Sequence, residues 1–358
     1  MPSFIKAAFI IPTLAVLTVL TFPQKAMGQG AFSLLQSPGG ISGTLSGSDY
    51  INTFGAMNAL GLGTPQTGLT VAALSNGAIY FSEFQVQFTG LPAGHNGKFT
   101  AYVSTNFNHP SALIVENCPS TGACTTSGGY SAMSTSAASP SIVVASMGNA
   151  TTTVGIGIFL PDNDGASAFT GTDSAAVVTY AMTDLTTNHV VATATWTFNQ
   201  AAPANSVQDA VRLTLGTATG GLTVTAASDY SLSFGNVNGL GIGATVPTVA
   251  AAGGIIYSTP YYLNPAFTDF TSLTATIKVY VSTNFAHPTV LKLDDAAAAA
   301  GPYNAISTNV GAQTQITTTA ADRSQITRYL GLFASLDNAV TPFLGSDSAT
   351  LTFTMTVP

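Results

Sequence analysis

Four histidines, two cysteines and fifteen carboxylates are all that 358 residues offer for chemistry. Their spacing limits what that chemistry can be. His109 and His287 stand in the same context, NFNHP and NFAHP. An imidazole serves as a general base or a metal ligand when a carboxylate or further ligands orient it. Here a proline follows each histidine and imposes an extended or turn geometry, and Asn106 and Asn284 suit the same turn. A turn-capping role is the reading that this context favours. Asp162-Asn163-Asp164-Gly165, with Asp173 further on, resembles the opening of a calcium loop, because calcium takes hard oxygen ligands at alternating positions. The glutamate that closes an EF-hand is missing, so Asp162, Asp164 and Asp173 are carried as a possible calcium site beside the plainer reading of a polar turn. Asp173 and its counterpart Asp347 are expected to cap the turn before the last shared strand. No other cofactor is expected.

Cys118 and Cys124, in CPSTGAC, are the only cysteines. Six residues apart in a chain read as exported, they are expected to form a disulfide, and closing so small a loop contributes about 2 kcal/mol. Tyr102 and Tyr280, in the repeated YVSTNF, fall on the strand face opposite Val103 and Val281. They are candidate surface-binding aromatics, for a glycan or a neighbouring subunit. The sequence has no GxSxG elbow, no HExxH and no histidine–carboxylate cluster. A non-enzymatic role is therefore expected. A secreted hydrolase is the third choice, since triads assemble in space.

These residues sit on a duplicated frame. SDYINTFGAMNALGLG from Ser48 and SDYSLSFGNVNGLGIG from Ser228 share nine of sixteen positions. YVSTNFNHP from Tyr102 answers YVSTNFAHP from Tyr280, and GTDSA from Gly171 answers GSDSA from Gly345. A single long period of this kind marks a duplicated domain. Within each copy, period-two alternation predicts antiparallel strands with one face buried. Phe84, Val86 and Phe88 form one such face; Ala275, Ile277, Val279 and Val281 another; Leu351, Phe353, Met355 and Val357 a third. Phe54 and Phe234 close short strands, and Gly55 and Gly235 permit a bend. The expected fold is all-β: two tandem immunoglobulin-like antiparallel β-sandwich domains related by internal duplication. The boundaries read as a signal peptide over 1–28, domain 1 over 29–200, a linker over 201–205 and domain 2 over 206–358. Alternating Thr-rich strands and FG turns resemble, at the level of fold, secreted bacterial surface domains of immunoglobulin-like or pilus type.

Charged residues make up only 6% of the chain, and the net charge is −7. No basic patch is present, so nucleic acid and anionic membrane surfaces are poor partners. Lys6, the apolar run Ala7 to Phe22 and the small-x-small Ala26-Met27-Gly28 read as a secretory signal. No membrane span is expected after its cleavage, and the protein is expected to be secreted or held at the cell surface.

The two copies differ after their last shared motif. Copy one runs through AAVVTYAMTDL and then adds NHVVATATWTF; copy two runs through ATLTFTMTVP. Domain 2 is thus expected to lack one edge strand. An open edge invites association, and the covering strand is expected either from its own chain, for example Val211 to Leu215, or from another subunit. Phe32 and Leu34 alternate in AFSLLQS and are the candidate donor. The expected function is a structural or adhesive surface protein that associates with itself or with other surface proteins, as a filament subunit joined by β-strand exchange. The alternative is an extracellular glycan-binding module.

Overall fold

In the computed structural model, residues 30–37, 40, 44–46, 49–162, 170–173, 176–198, 205–226, 230–268, 274–336 and 344–357 are described. The expected signal peptide and Asp164 lie outside them. Among the described residues the regular structure is β-strand, apart from two single-turn 3-10 segments at Ser127–Gly129 and Val310–Ala312. It divides into two compact units that change over between Val207 and Gln208, the short segments 58–62 and 162–170 being grouped with the second.

The first unit holds β1 (Ala31–Gln36), β2 (Thr44–Ser46), β3 (Asp49–Asn52), β4 (Ala56–Met57), β5 (Thr70–Leu74), β6 (Gly77–Thr89), β7 (Gly97–Thr105), β8 (Ile114–Cys118), β9 (Ser131–Ala132), β10 (Ser141–Met147), β11 (Thr151–Pro161), β12 (Gly171–Asp173), β13 (Ala176–Asp184), β14 (His189–Phe198) and β15 (Asn205–Val207). One six-stranded sheet has the order β1-β6-β11-β8-β9, with β5 also on β6; a second runs β10-β7-β13-β14-β3-β2; a small third runs β12-β15-β4. The two large sheets pack face to face. Phe32 of β1 meets Phe99 of β7 edge-on at 4.8 Å, and Phe84 of β6 meets Tyr180 of β13 at 6.1 Å. Period-two alternation creates this core: Phe84, Val86 and Phe88 are all at most 2% exposed, while Gln85 and Gln87 turn outward.

The second unit holds β16 (Val211–Thr217), β17 (Thr225–Ala226), β18 (Tyr230–Ser231), β19 (Thr248–Ala251), β20 (Gly254–Phe267), β21 (Thr274–Thr283), β22 (Leu291–Ala296), β23 (Asn304–Ala305), β24 (Thr314–Ala321), β25 (Ile326–Ser335) and β26 (Thr350–Thr356). Its first sheet has the order β16-β20-β25-β22-β23 with β19 on β20, which matches the first sheet of unit one strand for strand. Its second sheet is β24-β21-β26, and β17 and β18 pair only with each other among the described strands. Tyr257, Leu263 and Phe267 of β20 share the core with Ile277 and Val279 of β21.

Most pairings are antiparallel, as expected. Two are not: β14 runs parallel to β3, and β15 parallel to β4. Gly55 and Gly235 both adopt positive φ, at 78° and 68°, so the turn after each Phe-Gly is one that glycine allows cheaply.

Candidate functional site

The two units are built alike until β13 and β26, and the site arises where they part. In unit one β13 lies between β7 and β14, and β14 then carries β3 on its other side. Asp184 makes that continuation possible. Its carboxylate accepts the Thr186 N–H at 2.8 Å, and its carbonyl accepts the Asn188 N–H at 2.8 Å. Asn188 takes a positive φ of 58°, which asparagine tolerates, and the chain reverses into β14. The inward side chains of β13 are consequently sealed: Val178 and Met182 are 0% exposed and Tyr180 is 1%.

In unit two β26 pairs with β21 on one side and with no described strand on the other. The register makes the comparison direct. Leu351, Phe353 and Met355 stand opposite Val281, Val279 and Ile277, where Val178, Tyr180 and Met182 stand opposite Val103, Ala101 and Phe99. All three residues of β26 are only half-buried. Beyond them opens a groove of about 1400 Å³, lined by Leu213 and Leu215 of β16, Leu351 and Phe353 of β26, and Tyr261 and Leu293 of the facing sheet. Pockets for drug-sized ligands run to about 300–1,000 Å³. This groove exceeds that range, and one wall is a strand whose outer edge has no sheet partner among the described residues. Such an opening suits an extended peptide better than a compact small molecule.

Val211 to Leu215, the in-chain candidate for covering the edge, is not available. It lies in β16 and pairs with β20, from Val211 opposite Phe267 to Thr217 opposite Tyr261. Phe32 and Leu34 are likewise placed inside their own unit. They lie in β1, paired with β6, and are 3% and 2% exposed. Alternation showed correctly that they face a core, but that core is their own. The place that β1 holds in unit one is held in unit two by β16, so a β1-type strand has no vacancy to enter there.

The remaining candidates are placed as follows. Asp173 is buried and accepts the Asn108 N–H at 3.0 Å and the His109 N–H at 2.7 Å, while His109 Nδ1–H donates to it at 2.8 Å. Asp347 repeats this with Ala286 N–H at 2.9 Å, His287 N–H at 3.0 Å and His287 Nδ1 at 2.9 Å. Burial pushes the Asp347 carboxyl up, but its hydrogen bonds from Ala286, His287 and Ser348 outweigh that and hold it at about 2. The recurrent NFxHP and G-x-D-S-A motifs are therefore two halves of one clasp. Taken singly, each motif looks like a turn; their joint recurrence in both copies was the available signal that they belong together. Asp162 is ion-paired with Arg323, so both described members of the expected calcium set already have partners. Among the described residues no group of three His, Cys, Asp or Glu is placed to hold a metal. Cys118 and Cys124 are disulfide-bonded. Tyr102 and Tyr280 are half-exposed on the outer faces of β7 and β21, opposite Thr179 and Thr352.

A further pair carries no signal in the residue order. Glu116 of β8 and Asp294 of β22 occupy equivalent outward positions, opposite Gly157 and Gly331. Tyr130 and Tyr303 lie over those sheet faces; an added Cβ on Gly155 would fall 2.2 Å from the Tyr130 hydroxyl, and one on Gly331 would fall 2.8 Å from the Tyr303 ring. Burial pushes Glu116 up to about 7 and Asp294 up to about 6.

No protein-family model and no curated protein matches this chain. Among solved structures it is similar to the CupB6 tip adhesin from Pseudomonas aeruginosa, at 9% identity and a TM-score of 0.26, covering 91% of this chain and 94% of that one. It is also similar to a chaperone–tip adhesin complex of CFA/I fimbriae, at 10% identity and a TM-score of 0.24, covering 92% and 91%. Scores of this size leave the reading of the groove to rest on the geometry of this chain. No helix of the described residues is long and apolar enough to cross a membrane.

Proposed function

We propose that this protein is an exported structural or adhesive component of the cell surface, and that its second unit joins it to an assembly by accepting a strand. The observation that carries this reading is the open flank of β26. Three core positions that are sealed in unit one are half-covered in unit two, beside a groove one wall of which is a strand without a described partner on its outer edge. Strand addition supplies main-chain hydrogen bonds for affinity and side-chain pockets for specificity. It needs no reactive group, and the groove walls mix apolar side chains such as Leu213, Leu351 and Phe353 with polar ones such as Ser233, Asn236 and Thr352. The sparsely charged, Thr-rich faces fit work against other proteins outside the cell, and the signal-like first 28 residues fit export. Self-association into a filament is one form of this assembly; incorporation among other surface proteins is the other.

The test is recovery of the native protein from the cell exterior, followed by denaturing electrophoresis with and without boiling. The expected result is a species larger than the 36.3 kDa chain that collapses on boiling, and that disappears when Phe353→Asp blocks the groove. A chain that is never exported, or that migrates as a monomer before boiling, overturns the proposal.

A further inference from the structure

The opening in unit two has a second wall, and that wall says what enters. In unit one the order is β13-β14-β3-β2. The counterparts of β3 and β2 exist in unit two as β18 and β17, since SDY from Ser48 matches SDY from Ser228. They form their own two-stranded hairpin, Thr225 opposite Ser231 and Ala226 opposite Tyr230. Tyr230 and Ser231 of β18 line the same groove as Leu351 and Phe353 of β26, so by correspondence with unit one the order reads β24-β21-β26, an unfilled position, then β18-β17. What is absent among the described strands is an interior strand with a waiting edge on either side. Tyr230, on one of those edges, is 40% exposed.

Resting on the strand-acceptor reading above, we infer that the slot takes one extended segment of a separate polypeptide, antiparallel to β26 and parallel to β18, patterned like β14 of unit one. The register of β14 supplies the pattern. Ala194 stands opposite Tyr180, Ala192 opposite Met182 and Trp196 opposite Val178. Carried to unit two, the incoming residue opposite Phe353 is small, its neighbours at two residues' distance face Leu351 and Met355, and the residues between them point outward like Thr193 and Thr195. Ala194 is 6% exposed, so that position holds nothing much larger. On its other edge β14 runs in register with β3, Thr195 opposite Asp49 and Phe198 opposite Asn52. This sets the direction beside β18. A folded second copy has its β14 and β1 committed to its own unit one, with Ala194, Phe32 and Leu34 all buried. The donor is for that reason a different chain.

The experiment uses the full protein and a synthetic peptide of residues 189–198, HVVATATWTF, with a scrambled peptide that breaks the alternation. The expected result is binding at least about tenfold tighter than the scrambled control, with amide exchange slowed at Thr350–Thr356 and at Tyr230–Ser231 together. A variant of the full chain appends residues 185–198 after Val357. It is expected to raise the melting temperature and to abolish peptide capture. Equal binding of the two peptides, protection of β26 without β18, or a grafted strand that changes neither melting nor capture overturns the inference. So does a peptide-blocked dimer of the protein alone, which makes the occupant a second copy. Boil-sensitive native complexes that persist alongside a peptide that fails to bind leave the surface-assembly reading standing and remove only the β14-like donor. Peptide capture without any native complex does the reverse.

Discussion

Unit one carries the strand that completes its sandwich; in unit two, built to the same order, no described strand fills the corresponding place. The difference shows how little separates a finished domain from a receptor. Val178, Tyr180 and Met182 bury fully because β14 closes over them; Leu351, Phe353 and Met355 have the same register and the same inward direction but remain half-buried. On the strand-acceptor proposal, the presence or absence of one strand of ten residues separates a protected interior from a binding surface. Fully burying an exposed side chain of this size is worth about 1.5–3 kcal/mol; these three are already half-buried, so an incoming strand can release the remaining part of that.

The comparison breaks most visibly if unit one is opened. Ala194→Asp places a carboxylate between the layers where no partner waits, and is expected to cost more than about 3 kcal/mol in chemical denaturation of unit one. A cost below about 1 kcal/mol would mean that β14 is not what seals the core. The next effect is a contrast between equivalent residues. Tyr180→Ala is expected to cost about 3–5 kcal/mol and Phe353→Ala about half of that, because Phe353 has less surface to lose. Adding the residue 189–198 peptide is expected to bring the second figure toward the first. Equal costs without any peptide would erase the distinction between the units.

The smallest effect concerns the outward carboxylates and its sign depends on pH. An unfolded glutamate loses its proton near 4.5, whereas burial keeps Glu116 protonated in the fold up to about 7. The folded state is therefore unpenalised below 4.5, and the cost of an ionised buried carboxylate is fully present above 7. Glu116→Gln is expected to raise the melting temperature at about pH 8 and leave it unchanged at about pH 4. Asp294→Asn is expected to do the same more weakly, since Asp294 is raised only to about 6. A gain confined to acid pH would reverse the assignment.

Much of the frame was legible in the residue order. Alternation at Phe84 to Phe88 and at Ala275 to Val281 marks strands because a strand turns successive side chains to opposite faces. The extra NHVVATATWTF after the first copy marked the place where unit two would be short. Alternation does not say which core a strand enters, and that is why Phe32 and Leu34 looked like donors and Val211 to Leu215 like a cover. Phe32 and Leu34 belong to the first sheet of unit one, and Val211 to Leu215 belong to the first sheet of unit two, paired with β20. The second edge of the slot was also hidden. Tyr230 and Ser231 are too few to show a period, and their role depends on β3 running parallel to β14, which local pattern does not encode. The clasps join residues about 60 positions apart, in part through backbone amides, and a carboxylate bound partly to main-chain N–H groups leaves little in the side-chain pattern to recognise. Glu116 reads as surface because its burial comes from Tyr130 lying across a glycine-lined sheet face.

The Asp347 clasp has a mechanical consequence for the opening beside it. An edge strand with one neighbour frays easily. Asp347 lies just before β26, and its grip on the Ala286 and His287 amides moors the root of that strand to the loop that follows β21. The mouth of the slot is thus braced before anything arrives. An incoming segment then orders mainly itself, and less of its binding energy is consumed in straightening the receiving wall.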